Sequence, residues 1–583
     1  MHIILMPAFQ QHYENHWQSP SESPIWFVAM LYAIMALALQ SYHRANDEPP
    51  DYLGKSRETS VAYRRLTAQT LALADIMQPI PQILEVLCLH LQAEYARSQD
   101  TETGIIVLLA LVIRIAMRMG YHRDPGPHAN VPIYQAELRR RLWVVIRILD
   151  ILISFQYGLP AIVRTDCTDT KLPRNLYDEE LTEDMRILPP SRPATEPTSV
   201  TYMIVKGNLS YTFARVVERV SSVTEPPSYE EVMDLDAQLR SARNEIPEHL
   251  RSRPLSEAAG DPEVLIMQRY GLELLFLKSL CVLHRRFIAR GRESARYAYS
   301  RKTCVDASMD ILAHHITIQQ ETEPGGRLQT VKWYISSLTN SDFTLAAMIV
   351  GLDLHHCAEA ERAGRKTSQS PGSTPDVWNQ GRREEMMDAL RHAVSVWSKR
   401  ADESIDAYKA ASVLGILIQN LVNQSQPSTY PNFTRYTQRN GNYGILPNNN
   451  LRFGEDVAPE HSAAMTLGLL SSGGVSPNPT FNTNGATSSS SAETRGYPAS
   501  MAGLLNEPFP ERTGMTPQYS GPDAGVANPL SPFSQLLSAN AGGMDGGDID
   551  WVSIRLLGLR YIVADMCIHR APGIHTFKAR SIL

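Results

Sequence analysis

The 583-residue chain has few of the devices by which most proteins perform covalent chemistry. It contains no Gly-rich phosphate loop, no G-x-S-x-G elbow and no H-E-x-x-H pair, which sets aside the common nucleotide-binding, hydrolase and zinc-protease designs. Cysteine is sparse: Cys88, Cys167, Cys281, Cys304, Cys357 and Cys567 lie far apart, and none forms a C-x2-C pair. No thiolate zinc cluster can be built from them, and each suits a reducing compartment as a small core residue. Basic charge is also missing. A formal net charge of −6 gives no field that would hold nucleic acid by itself. The longest apolar run, Ile25 to Leu39, is shorter than the roughly 20 residues a membrane span needs, and the start lacks the positive region of a secretory signal. No membrane partner is expected.

What the chain does have is 43% hydrophobic residues, enough for a core, arranged at helical spacing. Ile25–Tyr42, Ser60–Met77 and Pro81–Ser98 each read as a helix, the last with Ile83, Leu84, Leu87, Leu91 and Tyr95 on one face. The stretch from Ile105 is apolar nearly all round and stops at Gly120, which predicts a buried helix with a glycine C-cap. From Glu137, the residues Leu138, Leu142, Val145, Leu149, Leu152 and Ile153 form one core-facing stripe that Gly158 and Pro160 end. Further helices are predicted over Ser199–Ser222, from a capping box at Ser228 and Glu231, from Asp261-Pro262-Glu263 to about Arg290, and over Thr330–Cys357, Arg382–Lys399 and Ile405–Val422. Lys366–Thr374 reads as a loop.

Several of these stretches carry a resemblance. The run Ala116-Met117-Arg118-Met119-Gly120-Tyr121-His122-Arg123-Asp124 is followed by Glu137-Leu138-Arg139-Arg140-Arg141-Leu142-Trp143, Leu149-Asp150, Gly158-Leu159-Pro160 and Leu172-Pro173-Arg174-Asn175. In this order they resemble the regulatory domain of fungal zinc-cluster transcription factors, with Met119 and Tyr121 in place of leucines and Val144 in place of a second tryptophan. Leu283-His284-Arg285-Arg286-Phe287 is similar to a later L-H-R-P-F motif, and Cys304-Val305-Asp306-Ala307 to a C-x-x-A. The resemblance fades near Gln424.

The fold expected is therefore all-α, a multi-helix regulatory array over residues 1–423. Residues 424–547, rich in Asn, Ser, Gly and Pro, cannot bury enough apolar surface to offset their backbone entropy and are expected to be a disordered tail. Residues 548–583 hold an acidic-aromatic peptide, Asp548, Asp550 and Trp551, of the kind that docks a coactivator. The terminal segment after it reads either as a gene-model artefact or as a helix over Ile554–Ile568.

The resemblance implies a nuclear regulator of RNA polymerase II transcription of a metabolic or biosynthetic gene set. It implies a homo- or heterodimer, a coactivator and a small-molecule effector as partners. Zinc is not expected in this chain. DNA would be met through a cluster encoded upstream, with Met1 internal to a longer frame, or through a partner. Two alternatives stand beside it: a cluster-less decoy that pairs with a full-length regulator, and an enzyme on a helical scaffold.

The residues permit few other sites. His122-Arg123-Asp124 imitates a kinase catalytic loop, but Asn130 is one residue too far and Pro125-Gly126-Pro127 interrupts. The expected role of these side chains is to satisfy the preceding helix's last carbonyls. Arg139, Arg140 and Arg141 are too few for a nuclear signal and are read as ion pairs. Asp150, on an apolar helix, needs a cation, and Arg114 or Arg118 is the expected one. His314-His315 and His355-His356-Cys357 are adjacent, about 100° apart on a helix, so they do not form an i, i+4 zinc site.

Overall fold

The computed structural model describes residues 3–76, 80, 82–97, 100, 104–126, 131–222, 224–362 and 378–425. They belong to one compact unit; residues 475–543 lie outside them. So do the predicted tail, the loop at 366–374, the terminal helix and the peptide Asp548, Asp550 and Trp551.

Among the described residues every regular element is helical, as the periodicity predicts. An unpredicted α1 (Met6–Gln18) opens the chain, its amphipathic signal diluted by polar residues. The next three, α2 (Ile25–Ala45), α3 (Ser56–Leu73) and α4 (Ile83–Arg97), pack together. On α4 the predicted face is fully interior, with Ile83, Leu84, Leu87 and Leu91 all sealed. Helix α2 outruns its apolar stretch to 21 residues, so it passes the length test for a membrane span, as does Ile405–Val422. Within the bundle its Phe27, Ala29, Ala33 and Ala36 are core residues.

Helix α5 (Gly104–Arg118) is less buried than its composition suggests: Val107 is 70% exposed, while Leu109, Val112, Ile113 and Ala116 face inward. Helix α6 (Ile133–Gln156) differs in the opposite sense. Of the predicted stripe Leu142, Val145, Leu152 and Ile153 are buried and Leu138 and Leu149 half-buried; Trp143, Val144, Ile146 and Ile151 are buried as well, because the irregular segment 161–200 lies across the side expected to face water.

The remaining helices are α7 (Thr201–Val220), α8 (Tyr229–Asn244), α9 (Glu263–His284), α10 (Arg290–Glu293), α11 (Ala298–Thr322), α12 (Ser337–Arg362), α13 (Gln380–Lys399) and α14 (Ile405–Ser425). Helix α7 packs on α6, α8 and α9, and α12 packs on α6, α9, α11, α13 and α14. The capping box at Ser228 and Glu231 forms at the start of α8.

Three boundaries differ from expectation. Asp261 does not cap α9; its carboxylate is taken by Arg253 and Arg269 instead. Helix α9 stops at His284, where the chain tightens into a 3-10 turn that tucks Phe287 between Tyr229 and Tyr297, with ring centroids 5.2 and 5.3 Å away. Likewise α12 starts only at Ser337, after a kinked 3-10 segment, Gln329–Tyr334. Long-range bonds close the bundle. Arg44 donates to the carbonyls of Ala96 (2.7 Å) and Ile335 (3.1 Å), and the Tyr95 hydroxyl accepts from the Leu338 amide at 2.8 Å.

Candidate functional site

The residues that carry the resemblance converge on one clamp, built by α5, α6 and the segment 161–200. Each helix ends in the same device. After α5, Gly120 (φ +80°) allows its amide to bond the Met117 carbonyl and the Tyr121 amide to bond that of Ala116, both at 3.0 Å. After α6, Gly158 (φ +67°) repeats this with Phe155 and Ser154. Both are glycine C-caps that satisfy the last helical carbonyls with backbone amides.

The side chains of the His122-Arg123-Asp124 run are thereby released from that task, which corrects the expectation that they would cap the helix. Arg123 and Asp124 grip the returning segment with their side chains, and His122 does so with its carbonyl. Asp124 accepts two bonds from Arg140, at 2.8 and 2.9 Å, and one from the Lys171 amide at 3.0 Å. The Arg140 guanidinium holds the Asp124 carboxyl below its ordinary pKa against the opposing effect of burial. Arg123 pairs with Asp169 at the surface. The His122 carbonyl accepts from the Thr168 hydroxyl at 2.9 Å, and that hydroxyl in turn accepts from Trp143 Nε1 at 3.0 Å.

Along α6 the three arginines go separate ways. Arg139 lies 5.1 Å from the Tyr121 ring centre, Arg140 takes Asp124, and the buried Arg141 bonds Asp178 at 2.5 Å. Glu137, fully buried, accepts from the Arg174 amide at 2.7 Å. Burial raises its pKa, and that amide and the two neighbouring arginines work in the opposite direction.

Asp150 does not meet Arg114 or Arg118, both exposed. Its carboxylate accepts from the Ile162 and Val163 amides, each at 2.9 Å, and from Arg147 one turn back at 3.4 Å. Arg147 also donates to the Val163 carbonyl. Desolvation pushes the Asp150 carboxyl up, with the two amides opposing it. Pro160 is exposed and Pro173 buried. Asn175 fixes the segment's far end, its Oδ1 accepting from Thr198 and Thr201 at 2.7 and 2.8 Å and its Nδ2 donating to the Pro193 and Glu196 carbonyls.

A second clamp uses the later motif. His284 Nδ1 lies 2.9 Å from the Ser300 hydroxyl and Nε2 lies 3.2 Å from Asp236. Burial would raise the Asp236 pKa, but bonds from His284, Arg240 and Tyr299 outweigh it and hold it at about 2. The atoms are those of a Ser-His-Asp triad, yet both His284 and Ser300 are sealed at 0% exposure, and Ser300 donates to Tyr229 at 3.1 Å. No substrate carbonyl can reach that hydroxyl in this arrangement. The clamp ties α8 and α9 to α11.

Of the clustered histidines, His315 is stacked on Phe343 at 4.0 Å, and burial, with Arg400 and His392 nearby, lowers its pKa to about 3. His314 packs edge-on against Tyr270. Sequence reasoning missed Thr168, Asp178, Arg147, Thr198 and Thr201. Their partners are the Arg141 guanidinium, the Trp143 indole, the Asn175 side chain, the Asp150 carboxylate and backbone carbonyls, and no periodicity reports these.

This frame defines a class. Residues 1–206 match the fungal specific transcription factor domain, and the chain carries a regulatory domain of the kind found in fungal zinc-cluster transcription factors. It is 35% identical to the Zn(2)-C6 fungal-type transcription factor pigI of Monascus ruber, over 73% of this chain and 51% of that protein. To the Zn(2)-C6 fungal-type transcription factor mpsB of Macrophomina phaseolina it is 34% identical, over 73% and 56%. To the pyrrolocin cluster transcription factor fsdR of a fungal species it is 33% identical, again over 73% and 56%. The chain spans about half the length of these curated relatives. No solved structure matches it.

Proposed function

We propose that this chain regulates RNA polymerase II transcription of a biosynthetic gene set in the nucleus, not as an enzyme but as the effector-responsive part of a zinc-cluster regulator. The observation that supports this reading is the convergence of the motif residues on the α5–α6 clamp, inside the stretch that matches the transcription factor domain. DNA is reached through a zinc cluster on another part of the protein or through a partner, with which the array forms a homo- or heterodimer. A small molecule bound between helices shifts the population in which the peptide at Asp548, Asp550 and Trp551 is available to a coactivator.

A second reading is a decoy that dimerises with a full-length regulator. Fusing the full chain to a heterologous DNA-binding module upstream of a reporter tests the first. Activation that disappears when residues 545–551 are deleted is expected. Activation unaffected by the deletion would remove the peptide from the mechanism. Silence in every fusion, with repression of a full-length relative when the two are co-expressed, would favour the decoy.

A further inference from the structure

We infer that the outer face of α14 is a homodimer surface, on which the α14 of a second copy of this chain packs antiparallel. The inference rests on the dimer proposed above and gives it a place. Ile405–Val422 is apolar enough for a membrane span, yet only 22% of that stretch is buried, against 50% in the corresponding stretch of α2.

The inner face of the helix is accounted for. Ala407, Ala410, Leu414 and Leu421 are buried where α14 packs on α12 and α13. Asp100 fixes its start, accepting from the Ser404 hydroxyl and from the Ile405 and Asp406 amides. The outer face has no such cover among the described residues. Ile405, Tyr408, Ile416 and Val422 are 65, 60, 63 and 39% exposed, and Ser412 and Gln419 are exposed between them. At Gly415 nothing lies within 4 Å of where a Cβ would stand. Lys409 is the only cation in the helix, which disfavours a lipid surface, since helices that lie on membranes carry Lys and Arg along their polar flank.

The order of residues on this face selects the occupant. Positions 405, 408, 412, 415, 419 and 422 step by three and four, the spacing of a helix-pair seam. An interface between two copies related by a two-fold axis must be complementary to itself. Antiparallel pairing centred between Val413 and Leu414 sets Ile405 of one copy against Val422 of the other, Tyr408 against Gln419, and Ser412 against Gly415. Each match is of one kind. Apolar meets apolar at both ends, a phenol meets an amide that can bond it, and small meets small at the centre, where the two backbones approach closest. Parallel pairing would set Tyr408 against Tyr408 and Gly415 against Gly415, a bulge beside a void.

The stretch from 405 to 422 is about 27 Å long. That makes a seam at the low end of specific interfaces, so a dimer of about micromolar affinity is expected.

Sedimentation velocity on the purified full chain, across roughly 1–100 µM, tests this. Conversion from monomer to dimer is expected over that range. The double substitution Ile405→Glu with Ile416→Glu, both at exposed positions, should leave the helical signal unchanged and weaken the dimer by about tenfold or more. Chains with Ser412→Cys mixed with chains with Gly415→Cys should cross-link on oxidation beyond the baseline of the natural chain, and more than either does alone. Equal cross-linking in the unmixed samples overturns the antiparallel pairing. A dimer of undiminished strength in the double variant overturns this surface and moves the dimer to another face. A natural chain that stays monomeric overturns the proposal too; maleimide labelling of Ser412→Cys then separates an open face, labelled fast, from one covered by residues beyond 425, labelled slowly. None of these readouts needs transcription, so a failed dimer leaves the regulator reading to its reporter.

Discussion

At Glu85 the bundle holds a carboxyl whose Oε2 has no hydrogen-bond partner. Burial raises its pKa to about 7, and the groups that face it are Cys88 on α4, Tyr121 after α5, and Tyr134 on α6. Because the folded pKa lies above the unfolded value of 4.5, the folded chain binds the extra proton between those limits. Stability is therefore greatest below pH 4.5 as far as this group is concerned, and is lost as pH rises towards 7. Glu85→Gln should flatten that dependence and stabilise the chain at pH 8 by roughly 1–3 kcal/mol, read from urea unfolding at pH 5 and pH 8. The opposite sign is expected at Asp150. Asp150→Ala strands two buried amides and Arg147, and should cost about 3–5 kcal/mol, seen as a large fall in midpoint or loss of soluble protein. The sequence announced that Asp150 needed partners but not which, since backbone amides leave no mark in a side-chain pattern.

At the scale of elements, the helices were legible wherever an apolar stripe repeated at three and four residues, and both glycine caps were legible as punctuation. What escaped was the segment 161–200. It has no period of its own and is held by Asp124, Glu137, Asp150 and Asn175, largely through its main chain, so α6 looked one-sided when it is covered on both sides. The three displaced boundaries share a cause: at Asp261, His284 and Ser337, a tertiary partner overrode the local signal. Two glycines separate backbone from packing effects. At Gly120 nothing lies within 4 Å of where a Cβ would stand, so Gly120→Ala should cost only the left-handed backbone strain, about 1–2 kcal/mol. At Gly207 the added carbon would sit 2.6 Å from Val144 Cγ2 and 3.1 Å from Leu172 Cδ2. Gly207→Ala should therefore cost about 1–3 kcal/mol by pushing α7 off α6 and the covering segment, with a red shift of Trp143 emission distinguishing it from the first variant.

The molecule as a whole is closed by contacts between distant parts of the chain. Arg44 reaches Ile335 across 291 residues of sequence, and Tyr95 reaches Leu338 across 243. Arg44→Met should leave two carbonyls short of a donor, cost about 1–3 kcal/mol, and speed amide exchange in α2 and α12 together while α7 and α8 stay protected. The same closure has a consequence for synthesis. Residue 44 leaves the ribosome long before residue 335, and at roughly 5–20 residues per second the wait for those 291 residues is about 15–60 s. Throughout that interval α2, an apolar helix of the bundle, has α3 and α4 against it but an open edge where the kinked segment before α12 will later dock. This early helix is thus covered late, which makes its edge a natural place for a chaperone to hold the nascent chain.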